Sequence, residues 1–339
     1  MSQSALPFDD IRNLLHDLPK GSDLAETAAR EREALLVKPA GSLGRLEEIA
    51  FWLARWQGRE RPRIDKPFAV IFAANHGVHA QGVSPAPQAL TRQMLETFAA
   101  GGGAVNQIAG TFGVGLKVFE LALDYPTGDI SREAALDEQG AAATFAFGME
   151  AIAGEPDLLC LGETGSGNTT IAAAVYAALY GGEVEQWTGR SAGADEVSCE
   201  RKVAMVRAAL ECHAGQLSDP LEIMRRVGGR EICALAGAIV AARLQGIPVV
   251  LDGYTVCAAA ALLQALNPAA LDHCIAGHVT PHGAHRDVLR RIGKPPLLDL
   301  GIDIGEAAGA SLAAGIIKAA VATHNDMATR EQAGVTGLA

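Results

Sequence analysis

No uninterrupted apolar stretch in this chain is long enough to cross a bilayer. The first ten residues contain neither a basic n-region nor an apolar h-region, so a secretory signal is not expected and a cytoplasmic protein is. Positive charge is in short supply: 28 Lys and Arg stand against 39 Asp and Glu, a net charge of -11, which argues against an electrostatic nucleic-acid binder. Aromatic residues make up 5% of the chain, and the apolar content comes from Ala, Leu, Ile and Val. The six cysteines form no C-x-x-C pair, and most sit among apolar neighbours, where buried free thiols are expected.

What remains is ample for a core. With 339 residues and 49% hydrophobic content, the chain can form one large α/β domain or two unequal ones. Amphipathic spacing predicts helices over 23–36 and 46–56, separated by a Pro/Gly turn with Ser42 or Gly44 as N-cap. Beyond Pro67 short apolar runs alternate with helical segments: 68–73, 116–121, 158–161, 248–251 and 297–300. That pattern predicts a mostly parallel, Rossmann-like sheet with helices on both faces. A helical tail over 311–323 and a loosely ordered end from Asn325 complete the reading.

The stretch Gly162-Glu163-Thr164-Gly165-Ser166-Gly167-Asn168-Thr169-Thr170 lies between such a run and an alanine-rich helical segment. A glycine turn at a helix N-terminus presents N–H groups and the positive dipole end to an anion. It lacks the Lys of a Walker loop and the third glycine of a dinucleotide fingerprint, so a mononucleotide or sugar phosphate fits better than ATP or NAD. A plain strand-to-helix turn, with Asn168 or Thr169 as N-cap, fits equally well. Ligands of parallel sheets bind at the carboxyl ends of strands. There the sequence sets Asn75-His76-Gly77-Val78, Glu163, Asp252-Gly253-Tyr254 and the segment from Gly301 to Ala310, which points to one shared site.

Several segments occur in a fixed order: Lys38-Pro39-Ala40-Gly41-Ser42-Leu43-Gly44-Arg45-Leu46-Glu47, Asn75-His76-Gly77-Val78, Gly101-Gly102-Gly103-Ala104-Val105-Asn106, Gly162 to Thr170, Gly228-Gly229-Arg230-Glu231, Asp252-Gly253-Tyr254 and Gly305-Glu306. As a series they resemble the nicotinate-nucleotide:dimethylbenzimidazole phosphoribosyltransferase family, over nearly the whole chain. The resemblance implies a catalytic Rossmann-like domain over 61–311, a smaller helical domain from 1–60 plus 312–339, and a homodimer with its sites near the subunit interface. It also implies transfer of the phosphoribosyl group of nicotinate mononucleotide to an azole base. Nicotinate leaves as a neutral ring nitrogen and needs no acid, whereas the incoming azole must lose a proton to a base. Because the substrate is itself the nucleophile, the reaction calls for no metal or cofactor.

By the same resemblance Glu306 is the base, Glu163 and the backbone of Gly165 and Gly167 hold the nucleotide, and Lys202 pairs with its phosphate. Asp252 and Thr280 contact the nucleotide, while Ser84 and Gln88 border the azole pocket. Each has a plainer reading too: Glu306 and Glu163 as acids near helix N-termini, and Lys202 as a solvated helix charge. The chain departs from the family where Ala86 replaces Tyr, Thr164 and Ser166 replace apolar residues, Asp303 replaces Arg, and Ala307-Ala308 replace Gly-Thr. These changes predict a wider, more polar azole pocket and a second carboxylate able to raise the pKa of Glu306. A histidine-rich segment around His273, His278, His282 and His285 matches no standard zinc spacing, and no metal is expected there. A non-catalytic relative that binds a nucleotide or azole as a sensor is the alternative. A generic Rossmann dehydrogenase or methyltransferase lacks its loop.

Overall fold

In a computed structural model, residues 7–154, 156–189 and 195–336 are described. Three helices, α1 (Pro7–His16), α2 (Asp23–Leu35) and α3 (Arg45–Gln57), precede the first strand. There follow β1 (Pro67–Asn75), a 3-10 turn (Gly77–Gln81), α4 (Ala89–Ala99), α5 (Ala104–Thr111), β2 (Gly115–Glu120), α6 (Glu138–Ala151), β3 (Leu158–Ser166) and α7 (Asn168–Tyr180). Next come α8 (Val184–Trp187), α9 (Glu196–Cys212), α10 (Pro220–Val227), α11 (Arg230–Leu244), β4 (Val249–Leu251) and α12 (Gly253–Leu266). The chain closes with β5 (Cys274–His278), α13 (His285–Arg291), β6 (Pro296–Leu298), α14 (Ala308–Asp326) and α15 (Arg330–Ala333).

The strands form one parallel sheet in the order β2-β1-β3-β4-β5-β6. Both faces are covered, which is why β1 reads as a continuous apolar run. Val70 and Phe72 face a core shared with α6, α7, α11 and α12, whereas Ala69 and Ile71 face α3, α5 and α14. The chain steps from β1 outward to β2 and then back across to β3. This leaves a topological switch point between β1 and β3, where the carboxyl ends of a parallel sheet open a crevice.

The structure corrects several local readings, one of them near the end of the chain: where a loosely ordered end from Asn325 is expected, α14 runs on to Asp326 and α15 follows. β3 does not stop at Leu161 but pairs with β1 through Ser166, so most of the expected glycine turn is strand. The N-cap of α7 is accordingly Gly167, at φ 96, rather than Asn168 or Thr169. β5 is not among the expected strands: its five residues end in Gly277-His278, too short and too polar at one end to register as a run. Of the cysteines, Cys160, Cys233, Cys257 and Cys274 are buried, but Cys199 is half-buried and Cys212 is exposed. Among the described residues no helix is long and apolar enough to cross a membrane.

Candidate active site

At the switch point a cavity of about 410 Å³ opens above the carboxyl ends of β1 and β3. Of the residues expected in the site, Ser84, Glu163, Gly165, Gly167, Lys202, Asp252, Thr280 and Glu306 all line it. Gln88 does not. It stands at the start of α4, and its amide donates to the His76 carbonyl at 2.7 Å, fixing the segment that leads out of β1.

One end of the cavity is suited to an anion. Gly167 turns the chain from β3 into α7, and the first turn of that helix offers N–H groups toward the opening. Lys202 reaches in from α9; it is 2% exposed and its Nζ donates to Thr169 Oγ1 at 3.1 Å. Burial holds its pKa below that of a free lysine, partly offset by Asp303. Gly165, which lines the cavity, also meets a packing demand. It lies within β3 opposite Ala74, and a Cβ there would meet the Ala74 carbonyl oxygen at 2.0 Å.

The other end holds carboxyls. β4 pairs with β3 only as far as Leu161, so the edge of β3 beyond it is open. The segment before α14 fills that edge: the Glu306 N–H donates to the Glu163 carbonyl at 3.0 Å. Glu306 and Ala307 both adopt left-handed backbone, at φ 68 and 59, a conformation disfavoured for residues with a Cβ. Their tight course is possible because a glycine faces them. A Cβ on Gly162 would lie 2.1 Å from the Ala307 nitrogen. Glu306 is 8% exposed, its Oε2 has no hydrogen-bond partner among the described residues, and burial followed by repulsion from Asp252 raises its pKa to about 7.

Asp303 was expected to act on Glu306, but it faces Lys202. The Lys202 cation pulls down an Asp303 pKa that partial burial raises, and Asp252 is the acid that perturbs Glu306. Asp252 Oδ1 accepts from the Ala310 N–H at 2.7 Å and lies 3.4 Å from His278 Nδ1, so it also secures the first turn of α14. Glu163 bonds to the Asn168 and Thr255 side chains. Burial, and then the charge of Glu231, push its pKa up to about 8, so it is largely protonated at neutral pH. Glu231 and His76, from two of the glycine-rich segments, meet at 3.2 Å fully buried beneath the site. The sequence places His76 at the edge of the shared site but gives Glu231 no role. Thr280 donates its N–H to His285 Nδ1 at 2.9 Å, which places the proton of that neutral ring on Nε2.

The wall near α4 carries Ala86, Thr164 and Ser166, as anticipated, but also Leu90, Met94 and Ile304, which the sequence pattern does not single out. Apolar surface for a flat ring is therefore present beside the hydroxyls. Among the described residues, no group of three or more His, Cys, Asp or Glu side chains is arranged to hold a metal ion.

A family model described as Phosphoribosyltransferase matches residues 19–335. The chain belongs to this family. It is 60% identical over 337 residues to nicotinate-nucleotide–dimethylbenzimidazole phosphoribosyltransferase of Methylocella silvestris, and 61% identical over 337 residues to that of Rhizobium etli, covering 99% of each chain in both cases. Among solved structures, the phosphoribosyltransferase of the same name from Thermus thermophilus superposes with a TM-score of 0.85 at 36% identity, over 93% of this chain and 99% of the other. The α/β fold read from the alternating runs is thus the fold of the family, and nothing in these likenesses favours a sensor without catalysis.

Proposed function

We propose that this protein transfers the 5-phosphoribosyl group of nicotinate mononucleotide to 5,6-dimethylbenzimidazole or a related azole, for assembly of the cobalamin nucleotide loop. The observation that carries this reading is the placement of Glu306: a buried carboxyl with one oxygen unpartnered among the described residues, facing the same cavity as Lys202 and the α7 N-terminus. The donor lies with its phosphate over Gly167 and the first turn of α7, near Lys202, and with its ribose toward Asp252 and Thr280. The azole rests against Leu90, Met94 and Ile304, with Ser84 at the margin.

One azole nitrogen attacks C1′ as the bond from C1′ to the pyridinium nitrogen breaks, and the bonding pair returns to the ring to give nicotinate. The proton on the second azole nitrogen passes to Glu306. Displacement from the opposite face inverts the anomeric centre, so a β nucleotide yields α-ribazole 5′-phosphate. Glu163, kept protonated, donates rather than repels near the donor. No cofactor enters these steps. The same reading takes 61–311 as the catalytic unit, with 1–60 and 312–339 as a helical unit from the chain ends, in a cytoplasmic homodimer.

Glu306→Gln tests the assignment. It keeps the shape but cannot accept a proton, so turnover should fall about 10²–10⁴-fold while nicotinate mononucleotide still binds. Near-normal turnover would transfer the role of base to another group.

A further inference from the structure

Between Lys202 and Tyr254 the cavity wall holds a side chain that the chemistry above does not use. His282, a few residues beyond β5, lines the cavity, is 6% exposed, and among the described residues has no hydrogen-bond partner at either ring nitrogen. Burying an imidazole in this state costs free energy that an apolar ring of the same shape would not. Nor is the ring loosely placed. It stacks on Tyr254 with centroids 3.9 Å apart and planes inclined by 18°. Tyr254 is itself fixed: its hydroxyl donates to the Trp187 carbonyl at 2.7 Å, and its own carbonyl accepts from the Tyr176 hydroxyl at 2.7 Å. On the far edge Gly189 comes so close that a Cβ there would lie 2.6 Å from Nε2. An aromatic stack on one side and a glycine backbone on the other thus hold an unsatisfied ring at the cavity wall.

Among the described residues, burial and then the field of Lys202 keep the His282 imidazole neutral. A neutral imidazole still carries one N–H donor. An anion seated at Lys202 would satisfy that donor, and a phosphate has oxygens to spare after engaging a lysine and a helix N-terminus.

We propose that His282 is a ligand of the donor's 5′-phosphate, together with Lys202 and the first turn of α7, and that it makes the site favour a phosphorylated donor over the corresponding riboside. This rests on the donor placement proposed above. The test compares nicotinate mononucleotide as substrate with nicotinate riboside as a competitive inhibitor, in the intact protein and in His282→Phe and His282→Asn. Phenylalanine keeps a flat ring on Tyr254 and removes both nitrogens; asparagine restores a donor.

The expected result for His282→Phe is a KM for the nucleotide raised roughly ten- to hundredfold, with little change in kcat and none in riboside inhibition, and partial recovery in His282→Asn. If His282→Phe weakens nucleotide and riboside alike, or neither, the inference is overturned. Lys202→Ala, measured the same way, separates the two levels. If Lys202 discriminates between nucleotide and riboside and His282 does not, only this inference fails; if Lys202 does not discriminate, the donor placement fails with it.

Discussion

A carboxyl that must take a proton at neutral pH needs a pKa near that pH, and Glu306 acquires one from burial and from the nearby Asp252. Deprotonated Glu306 and protonated Glu163 are the active forms, so kcat/KM should fall as pH drops through about 7 and fall again as pH rises through about 8. The same shift has a cost in stability whose sign is opposite to that of an ion-paired acid. A carboxyl raised in the folded state stabilises the fold while protonated, and that contribution is lost as pH rises from the unfolded value through about 7. Glu306→Gln should therefore melt higher than the unaltered protein at pH 8, by on the order of 1 kcal/mol, and at the same temperature at pH 4. A rate profile flat across pH 6 to 8, with no melting difference at the alkaline end, would show that Glu306 titrates elsewhere.

At the scale of elements, the decisive feature is the stretch of β3 beyond the reach of β4, where the segment before α14 completes the edge and presents Glu306. Gly162 makes that approach possible. Gly162→Ala should leave donor binding within a few-fold but lower kcat at least tenfold, because a displacement of the base by a fraction of an ångström misaligns proton transfer. Single-turnover rates beside donor affinity decide it, and unchanged kcat would show that the Ala307 backbone yields without moving Glu306. The sequence displayed much of this framework. The run from Phe68 to Ala73 reads as strand because both its faces are covered, and Glu306 with Lys202 could be named from the ordered segments. The continuation of β3 was hidden because glycines, Glu163 and hydroxyl residues look like a turn when their partner strand is unseen. The unsatisfied state of His282 was hidden for another reason: it depends on contacts between segments about 30 and 90 residues distant.

Across the whole molecule, the first of the ordered segments proves to serve a purpose other than the cavity. Lys38 and Glu47, at its two ends, form an ion pair at 2.7 Å, and Lys38 also reaches Glu33 of α2 at 3.1 Å. Glu33 in turn pairs with His324 near the end of α14, at 2.5 Å, and Arg32 donates to the His324 and Asn325 carbonyls. Lys38, Glu33 and His324 are each less than a tenth exposed, so a buried charged network fastens the beginning of the chain to its end. That matters for function because α14 carries Glu306 just before its first turn, and α3 packs on α14 beneath the sheet. Removing one member of such a network leaves carboxylates buried without compensation, which costs far more than the net worth of the pair. Lys38→Met should therefore lower stability by about 3–5 kcal/mol, while the folded fraction keeps normal KM values, and adding Glu47→Gln should recover part of the loss. Denaturant unfolding of the single and double variants, alongside kinetics at low temperature, gives the answer. A Lys38→Met protein that unfolds like the original but fails to turn over would place this segment at the substrates rather than in the scaffold.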